Sequence, residues 1–291
     1  MKINDGLVLA ADSASTIMGV VPAGQSFAVN IYNNANKIFN LRKGSPIGAM
    51  TWGSGSIGTA SISTLAKDLR RRFSGDDPKF ESWEINPSGY QVQDVAKRLR
   101  EFMYDENYVP SMKEFEHSDK KPDMGFIVAG YSPGAQMAEE YRLDILADGS
   151  CVGPIPIHAL HETGLSWVGM AEPISRLVLG FSPLLGDILQ KSLGVPDEQI
   201  QPALSAIKAV LQQNGTLVHP AMPLQDAIDL AEYLVHTAIE YYRFAPGAPG
   251  VGGPIEIAAI SKHEGFKWVK RKYYFSRDLN PDDGLVVVPK K

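Results

Sequence analysis

NDGLVLAAD, residues 4–12, is the stretch from which the fold of this chain can be worked out. Its first three residues form a tight-turn signal of the kind that joins two strands of a β-hairpin. The apolar run that follows predicts a short buried strand, and it ends at an acid, Asp12. A hairpin needs a strand on each side of its turn, and only residues 1–3 precede this one. We therefore expect that the chain starts inside its first strand or lacks part of it.

The segments downstream alternate in blocks of strands and helices. Apolar runs bounded by turn residues predict strands at 37–41, 46–52, 124–131, 138–146, 166–170 and 254–261. Apolar residues at helical spacing predict helices at 62–73, 91–104, 172–181 and 224–242. Blocks of this kind, unlike regular βαβ repeats, are typical of packed sheets with helices outside them.

The composition excludes several classes of protein. Hydrophobic residues make up 44% and charged residues 21% of the 291 positions, as in an ordinary soluble globular protein. The net charge of -5 does not favour nucleic acid or an anionic membrane as a partner. No apolar run approaches the roughly 20 residues of a membrane-spanning helix. Cys151 is the single cysteine and no signal peptide is evident, so we expect a cytoplasmic protein.

The order and spacing of the segments resemble the proteasome β-subunit-like family of N-terminal-nucleophile (Ntn) hydrolases. The resemblance runs from about residue 5 to 261 and rests on DGLVLAADSAST, NKIFNL, PIGAMTWGSGSIG, MGFIVAGY, EEYRLD, MPLQDAIDLAEYLVHTAIEYY and GGPIEIAAIS. It implies an α+β fold, a four-layer αββα sandwich in which helices flank two antiparallel sheets. It also implies one domain over residues 1–291, with a helical insertion at about 182–221, and assembly into a homo-oligomeric ring.

The same resemblance implies a set of site residues. Asp12 matches the acid of the family, Lys37 its lysine, and Gly53 the glycine whose backbone N–H stabilises the oxyanion. Thr16 and Thr51 match positions that bind substrate. The nucleophile, an N-terminal threonine activated by its own α-amine, would lie about four positions before Met1. No metal or other cofactor is implied.

Two departures from the family pattern leave two functions open. Gly169-Met170-Ala171 stands where the family has Gly-Ser-Gly, and FAPGAPGVGG at 244–253 lacks an expected aspartate. The favoured hypothesis is a threonine-type peptidase or amidohydrolase subunit, acting on a peptide or protein substrate, whose nucleophile lies upstream of Met1. The alternative is a non-catalytic ring or scaffold subunit of a proteasome-like assembly.

Other interpretations of the same residues are weaker. GSGSIG at 53–58 fits the glycine pattern of a dinucleotide site, but a loop-like stretch follows where that site needs a second strand ending in an acid. His158, His161 and Glu162 lack the spacing of a zinc-protease motif. Without the resemblance, Asp12 would be a turn residue at the end of a strand and Lys37 a surface lysine.

Overall fold

The computed structural model describes residues 1–20, 26–115, 121–211 and 217–272. In these ranges the strands are β1 (Lys2–Ile3), β2 (Gly6–Ala11), β3 (Ser15–Val20), β4 (Ser26–Tyr32), β5 (Ile38–Asn40), β6 (Ile47–Gly53), β7 (Ser56–Ile57), β8 (Ala60–Ser61), β9 (Met124–Gly130), β10 (Glu139–Ile145), β11 (Cys151–Pro156), β12 (Glu256–Ser261) and β13 (Gly265–Lys270). The α-helices are α1 (Ile62–Phe73), α2 (Val92–Arg100), α3 (Val109–Ser111), α4 (Glu172–Leu179), α5 (Leu185–Leu193), α6 (Asp197–Leu211) and α7 (Leu224–Phe244). A π-helix (Glu101–Tyr108) continues α2, and 3-10 helices span Pro78–Trp83 and Met112–Phe115. The protein is therefore α+β, and its paired strands are antiparallel.

The first sheet joins the two ends of the described chain. Its strand order is β1-β2-β12-β13, and β12 runs antiparallel to β2 with Glu256 opposite Ala11. The predicted hairpin is confirmed, because Lys2 pairs with Leu7 and Ile3 pairs with Gly6. Strand β2 is longer than β1, so its last residues extend past the end of the hairpin.

The second sheet has the order β11-β10-β9-β6-β5. Every residue of β9 is buried, as expected of a strand that is paired on both sides and covered on both faces. Its side chains alternate between two clusters: Phe126 and Val128 pack with α1 and α2, whereas Ile127 and Ala129 pack against residues of the first sheet. Strand β6 lies between β5 and β9, and it carries two of the predicted site residues at its C-terminal end.

Two of the helices pack against strands through apolar side chains whose helical spacing is visible in the sequence. Helix α1 begins at the cap Ser61, whose hydroxyl accepts a hydrogen bond from Thr64 N, and it buries Leu65 and Leu69. Helix α7 presents Ala227 and Ala231 to the first sheet, so that the helix and the strands approach closely. The glycine-rich segment at 53–58 leads through the small β7–β8 hairpin into α1 and not into a parallel βαβ unit, which removes support for a dinucleotide site.

The segment predicted as an insertion contains α5 and α6, which pack against each other. Neither helix has a buried residue, and several of its apolar side chains are exposed. In the described part of the chain, no helix is long and apolar enough to cross a membrane.

One predicted strand was wrong and several strands were not predicted. Residues 166–170 form no strand, although Trp167 there donates a hydrogen bond from its ring N–H to Ser175 Oγ. The β3–β4 hairpin, β11 and β13 were missed, because polar residues, prolines and lysines interrupt the alternation that marks a strand.

Candidate functional site

Asp12 and Lys37 form an ion pair that fixes the centre of the candidate site. The distance between Lys37 Nζ and Asp12 Oδ1 is 2.7 Å, and the two side chains are 21% and 14% exposed, respectively. Asp12 follows the last residue of β2 and Lys37 precedes the first residue of β5, so one residue comes from each sheet. Two residues that are distant in sequence are thus brought together at the ends of neighbouring strands.

The other carboxylate oxygen of Asp12 is held by the backbone. Asp12 Oδ2 accepts hydrogen bonds from Ala14 N and Gly252 N, each at 3.0 Å. The first bond is a local Asx turn, and the second ties the end of β2 to the glycine-rich loop before β12. Because both carboxylate oxygens of Asp12 accept hydrogen bonds, the side chain has a fixed orientation. The ammonium of Lys37 has three N–H donors, and Asp12 takes one of them.

Thr51 and Gly53 lie on β6 beside this pair. Thr51 N donates to Lys37 O at 2.9 Å, which fixes the backbone of the lysine against β6. The Thr51 hydroxyl is buried and donates to Gly125 O at 3.0 Å. Gly53 ends the strand at a φ of +81°, and a Cβ placed there would come within 2.5 Å of Asp123 O. Only glycine fits this bend without displacing the neighbouring backbone.

Thr16 lies in β3 on another side of the same region. Its Oγ1 would be 3.8 Å from a Cβ placed on Gly250, and Met170 Sδ would be 2.7 Å from that same point. Gly250 belongs to the loop that also binds Asp12 through Gly252. The structure therefore brings Asp12, Lys37 and Thr51 together, whereas Thr16 and Met170 lie near Gly250 in the loop that binds Asp12.

Sequence reasoning missed a second, more deeply buried ion pair next to Asp12. Lys272 and Glu256 are 2.9 Å apart, and their side chains are 8% and 3% exposed. Lys272 also donates to Ser13 Oγ, the residue after Asp12. A lysine just after the run KWVK gives no sequence signal that it turns inward.

The histidine-containing segment forms a different cluster. Glu140 is buried and binds His158 Nδ1 at 2.8 Å, while Lys2 Nζ donates to the carbonyls of Ala159 and Leu160. Burial acts to raise the pKa of Glu140, but the hydrogen bond with His158 and the positive charges of the Met1 amine and Lys2 outweigh it and lower the pKa overall. Among the described residues, no group of three or more His, Cys, Asp or Glu side chains could hold a metal ion.

Two clefts of the described surface lie away from the Asp12–Lys37 pair. One lies beside Arg72, Phe80 and Glu106, and the other beside Cys151 and Pro154. The first is a packed arrangement in which the Arg72 guanidinium lies over the Phe80 ring and binds Glu106. The polar contacts of Asp12 and Lys37 identify the candidate site.

Solved structures match this chain, although no protein-family model and no curated protein does. Anbu, an ancestral β-subunit from Yersinia bercovieri, is 14% identical with a TM-score of 0.50, and the match covers 94% of this chain and 87% of that one. The Anbu complex from Pseudomonas aeruginosa is 15% identical with a TM-score of 0.51, and the match covers 94% and 86%. The chain is similar in fold to Anbu proteins.

These matches correct the family predicted from the sequence. The matched structures belong to Anbu, which is proteasome-like but distinct from the proteasome β-subunit-like family of Ntn hydrolases, so that assignment was wrong. The physical reason is that motifs such as DGLVLAAD encode a turn, a buried strand and a strand-end acid. Such motifs specify the fold, and they do not distinguish between protein families that share that fold. At this identity the likeness extends to the fold alone.

Proposed function

We propose that this chain is an amide-hydrolysing subunit of a proteasome-like assembly, in which the Asp12–Lys37 pair activates a hydroxyl nucleophile. The observation that carries the proposal is the oriented pair, in which three donors fix the carboxylate and the carboxylate fixes the ammonium. A positive charge beside a hydroxyl favours its ionised form and so makes it a better nucleophile.

The register of the first hairpin indicates where such a nucleophile would lie. Lys2 pairs with Leu7 and Ile3 with Gly6, so each step backward along β1 corresponds to one step forward along β2. Continued upstream in this register, a residue four positions before Met1 falls opposite Asp12. A strand that extends past Met1 along β2 would therefore bring its first residue to the ion pair.

The proposed reaction needs few protein groups. The hydroxyl oxygen of the first residue attacks the amide carbonyl, and its proton passes to the free α-amine of the same residue. The backbone N–H of Gly53 would stabilise the oxyanion. The C–N bond then breaks, the leaving amine takes the proton, and water hydrolyses the resulting ester to regenerate the hydroxyl.

The test is a chain extended by four residues, in which Thr is followed by three residues of high strand propensity before Met1. The matched control begins with Ala, and both are assayed on peptide amides with a fluorogenic leaving group. We expect hydrolysis by the Thr chain alone, and a loss of about 10²–10³ in kcat/KM when it also carries Lys37→Met. A folded Thr chain with no hydrolysis would reject the proposal.

The second candidate function is a non-catalytic scaffold subunit. Met170 favours it, because a thioether lies at the position where catalysis would favour a serine, and it packs toward Gly250. The Pseudomonas structure is described as a helical assembly of the Anbu complex, which supports oligomerisation as part of either function. Sedimentation velocity on the chain from Met1 tests this, because a monomer at micromolar concentration would contradict an assembly role.

The stacking order of the sheets and helices, and the extent of the domain, are part of the same proposal. We infer one domain over residues 1–291, in which α1 and α2, the second sheet, the first sheet and α7 stack as a four-layer αββα sandwich with an insertion at about 182–221. Three buried clusters support this order, one between each pair of neighbouring layers. Limited proteolysis should release the insertion before it cuts either sheet.

A further inference from the structure

Lys272 reaches back from the end of β13 to the segments that carry the candidate site. Its Nζ donates to Ser13 Oγ and to Ala35 O, each at 2.6 Å, and it pairs with Glu256 Oε2 at 2.9 Å. An ammonium has three N–H groups, so these three acceptors use all of them. The side chain is 8% exposed, so it is nearly excluded from solvent.

Two of the three acceptors, Ser13 and Ala35, belong to the segments that carry Asp12 and Lys37. Ser13 follows Asp12 directly, and Ala35 precedes Lys37 by two residues. The two segments are also joined by a hydrogen bond from Ala35 N to Ser13 O at 2.9 Å. Lys272 therefore bridges the two backbone segments whose separation sets the geometry of the ion pair.

We propose that Lys272 is a positioning residue for the Asp12–Lys37 pair, an inference that rests on the proposed function of that pair. Lys272 acts through Ser13 and Ala35, while Glu256 holds its ammonium in place from β12. The site thus includes a residue from the last described part of the chain.

A merely structural role for Lys272 would be to neutralise Glu256. A buried ion pair can often be replaced by neutral groups of similar size without loss of stability. A neutral replacement would not restore the hydrogen bonds to Ser13 and Ala35. The double variant Glu256→Gln/Lys272→Met therefore separates the two roles, because it removes both charges together and also removes the bridge.

The experiment compares that double variant with Glu256→Gln alone by amide hydrogen exchange. The reporters are the N–H groups of Ala14 and Gly252, which donate to Asp12, and that of Ala35. We expect these amides to exchange about tenfold faster in the double variant, as when one charge-assisted hydrogen bond is lost. The Ile127 amide in β9 is the control and should not change.

Unchanged exchange at the three reporters, or an equal acceleration at Ile127, would overturn the proposal. Should the double variant fail to fold, Ser13→Ala serves instead, because it removes one acceptor and keeps the pair of Lys272 with Glu256. The same local acceleration is expected, and its absence would again count against the bridge.

The Thr-extended chain gives a second readout. There the double variant should lower kcat about tenfold relative to Glu256→Gln, with KM within about twofold, because misplacement affects the transition state more than substrate binding. An inactive Thr-extended parent would reject the proposed function, while the exchange result still decides the role of Lys272.

Discussion

Replacing either member of the Asp12–Lys37 pair should show that the two residues act as one unit. The variants are Asp12→Asn and Lys37→Met, alone and combined, each close in size to the residue it replaces. Asp12→Asn leaves a largely buried ammonium facing an amide. Lys37→Met leaves a carboxylate that still accepts hydrogen bonds from Ala14 N and Gly252 N. We therefore expect Asp12→Asn to be the more destabilising change.

The magnitude follows from the geometry of the pair. A charge-assisted hydrogen bond contributes about 1.5–3 kcal/mol net, whereas exposed ion pairs contribute about 0.2–1 kcal/mol. With a 2.7 Å contact between side chains that are 21% and 14% exposed, the pair belongs where the two ranges meet, at about 1 kcal/mol. We expect losses of about 2 kcal/mol for Asp12→Asn and about 1 kcal/mol for Lys37→Met, with a coupling energy of about 1 kcal/mol.

The assay is urea unfolding followed by circular dichroism, with the slope m compared among the four proteins to confirm that the unfolded states are alike. Asp12→Ala serves as an added control, because it also removes the two backbone hydrogen bonds and should cost about 1–2 kcal/mol more than Asp12→Asn. Additive losses, with a coupling energy below about 0.3 kcal/mol, would refute the view that the pair is an oriented unit.

Three further predictions test other parts of the molecule. Gly53→Ala should destabilise the protein by about 2 kcal/mol or more, because the added Cβ would clash with Asp123 O and the φ of this residue is positive. Thermal unfolding measures this, and an unchanged Tm would contradict the requirement for glycine at this bend. Thr51→Val should cost about 1 kcal/mol through the lost hydrogen bond to a buried carbonyl, as measured in urea; a gain in stability would contradict it. The pKa of Glu140 is lowered in the folded protein from 4.5, so its stabilising effect is complete above that value and is lost as the pH falls through the folded pKa. In Glu140→Gln, the free energy of unfolding should therefore fall less steeply with decreasing pH below about pH 4.5 than in the unmodified protein. An acid-unfolding profile identical to that of the unmodified protein would argue against this.

The sequence predicted the local structure of the candidate site where one short motif encodes several consecutive features. NDGLVLAAD marks a turn, a strand and an acid within nine residues, and the structure has each of them in place. The pairing of Asp12 with Lys37 was expected only from the resemblance, because the neighbouring residues alone indicate a turn residue at the end of a strand and a surface lysine.

The partners of these residues could not be found in this way. Gly252 contributes a backbone N–H, which has no side-chain signature, and it lies 240 positions from Asp12. Lys272 follows a strand whose lysines suggest an exposed edge, and only the tertiary structure turns it toward Ser13. The family was misassigned for a related reason, since the motifs that were recognised describe architecture and the residues that would separate families lie outside them.

The hydrogen bond between Asp12 and Gly252 has a consequence for biosynthesis. At about 5–20 residues per second, a ribosome needs roughly 10–50 s to translate the 240 positions between them. During that interval the apolar strand β2 lacks β12, its neighbour in the finished sheet. A nascent chain would therefore carry an unpaired, aggregation-prone strand edge for most of its synthesis. The hydrogen bond from Gly252 N to Asp12 would form only after residue 252 has been translated. Capture by a holdase chaperone should thus be strongest for chains that have emerged through β2 but not yet through β12.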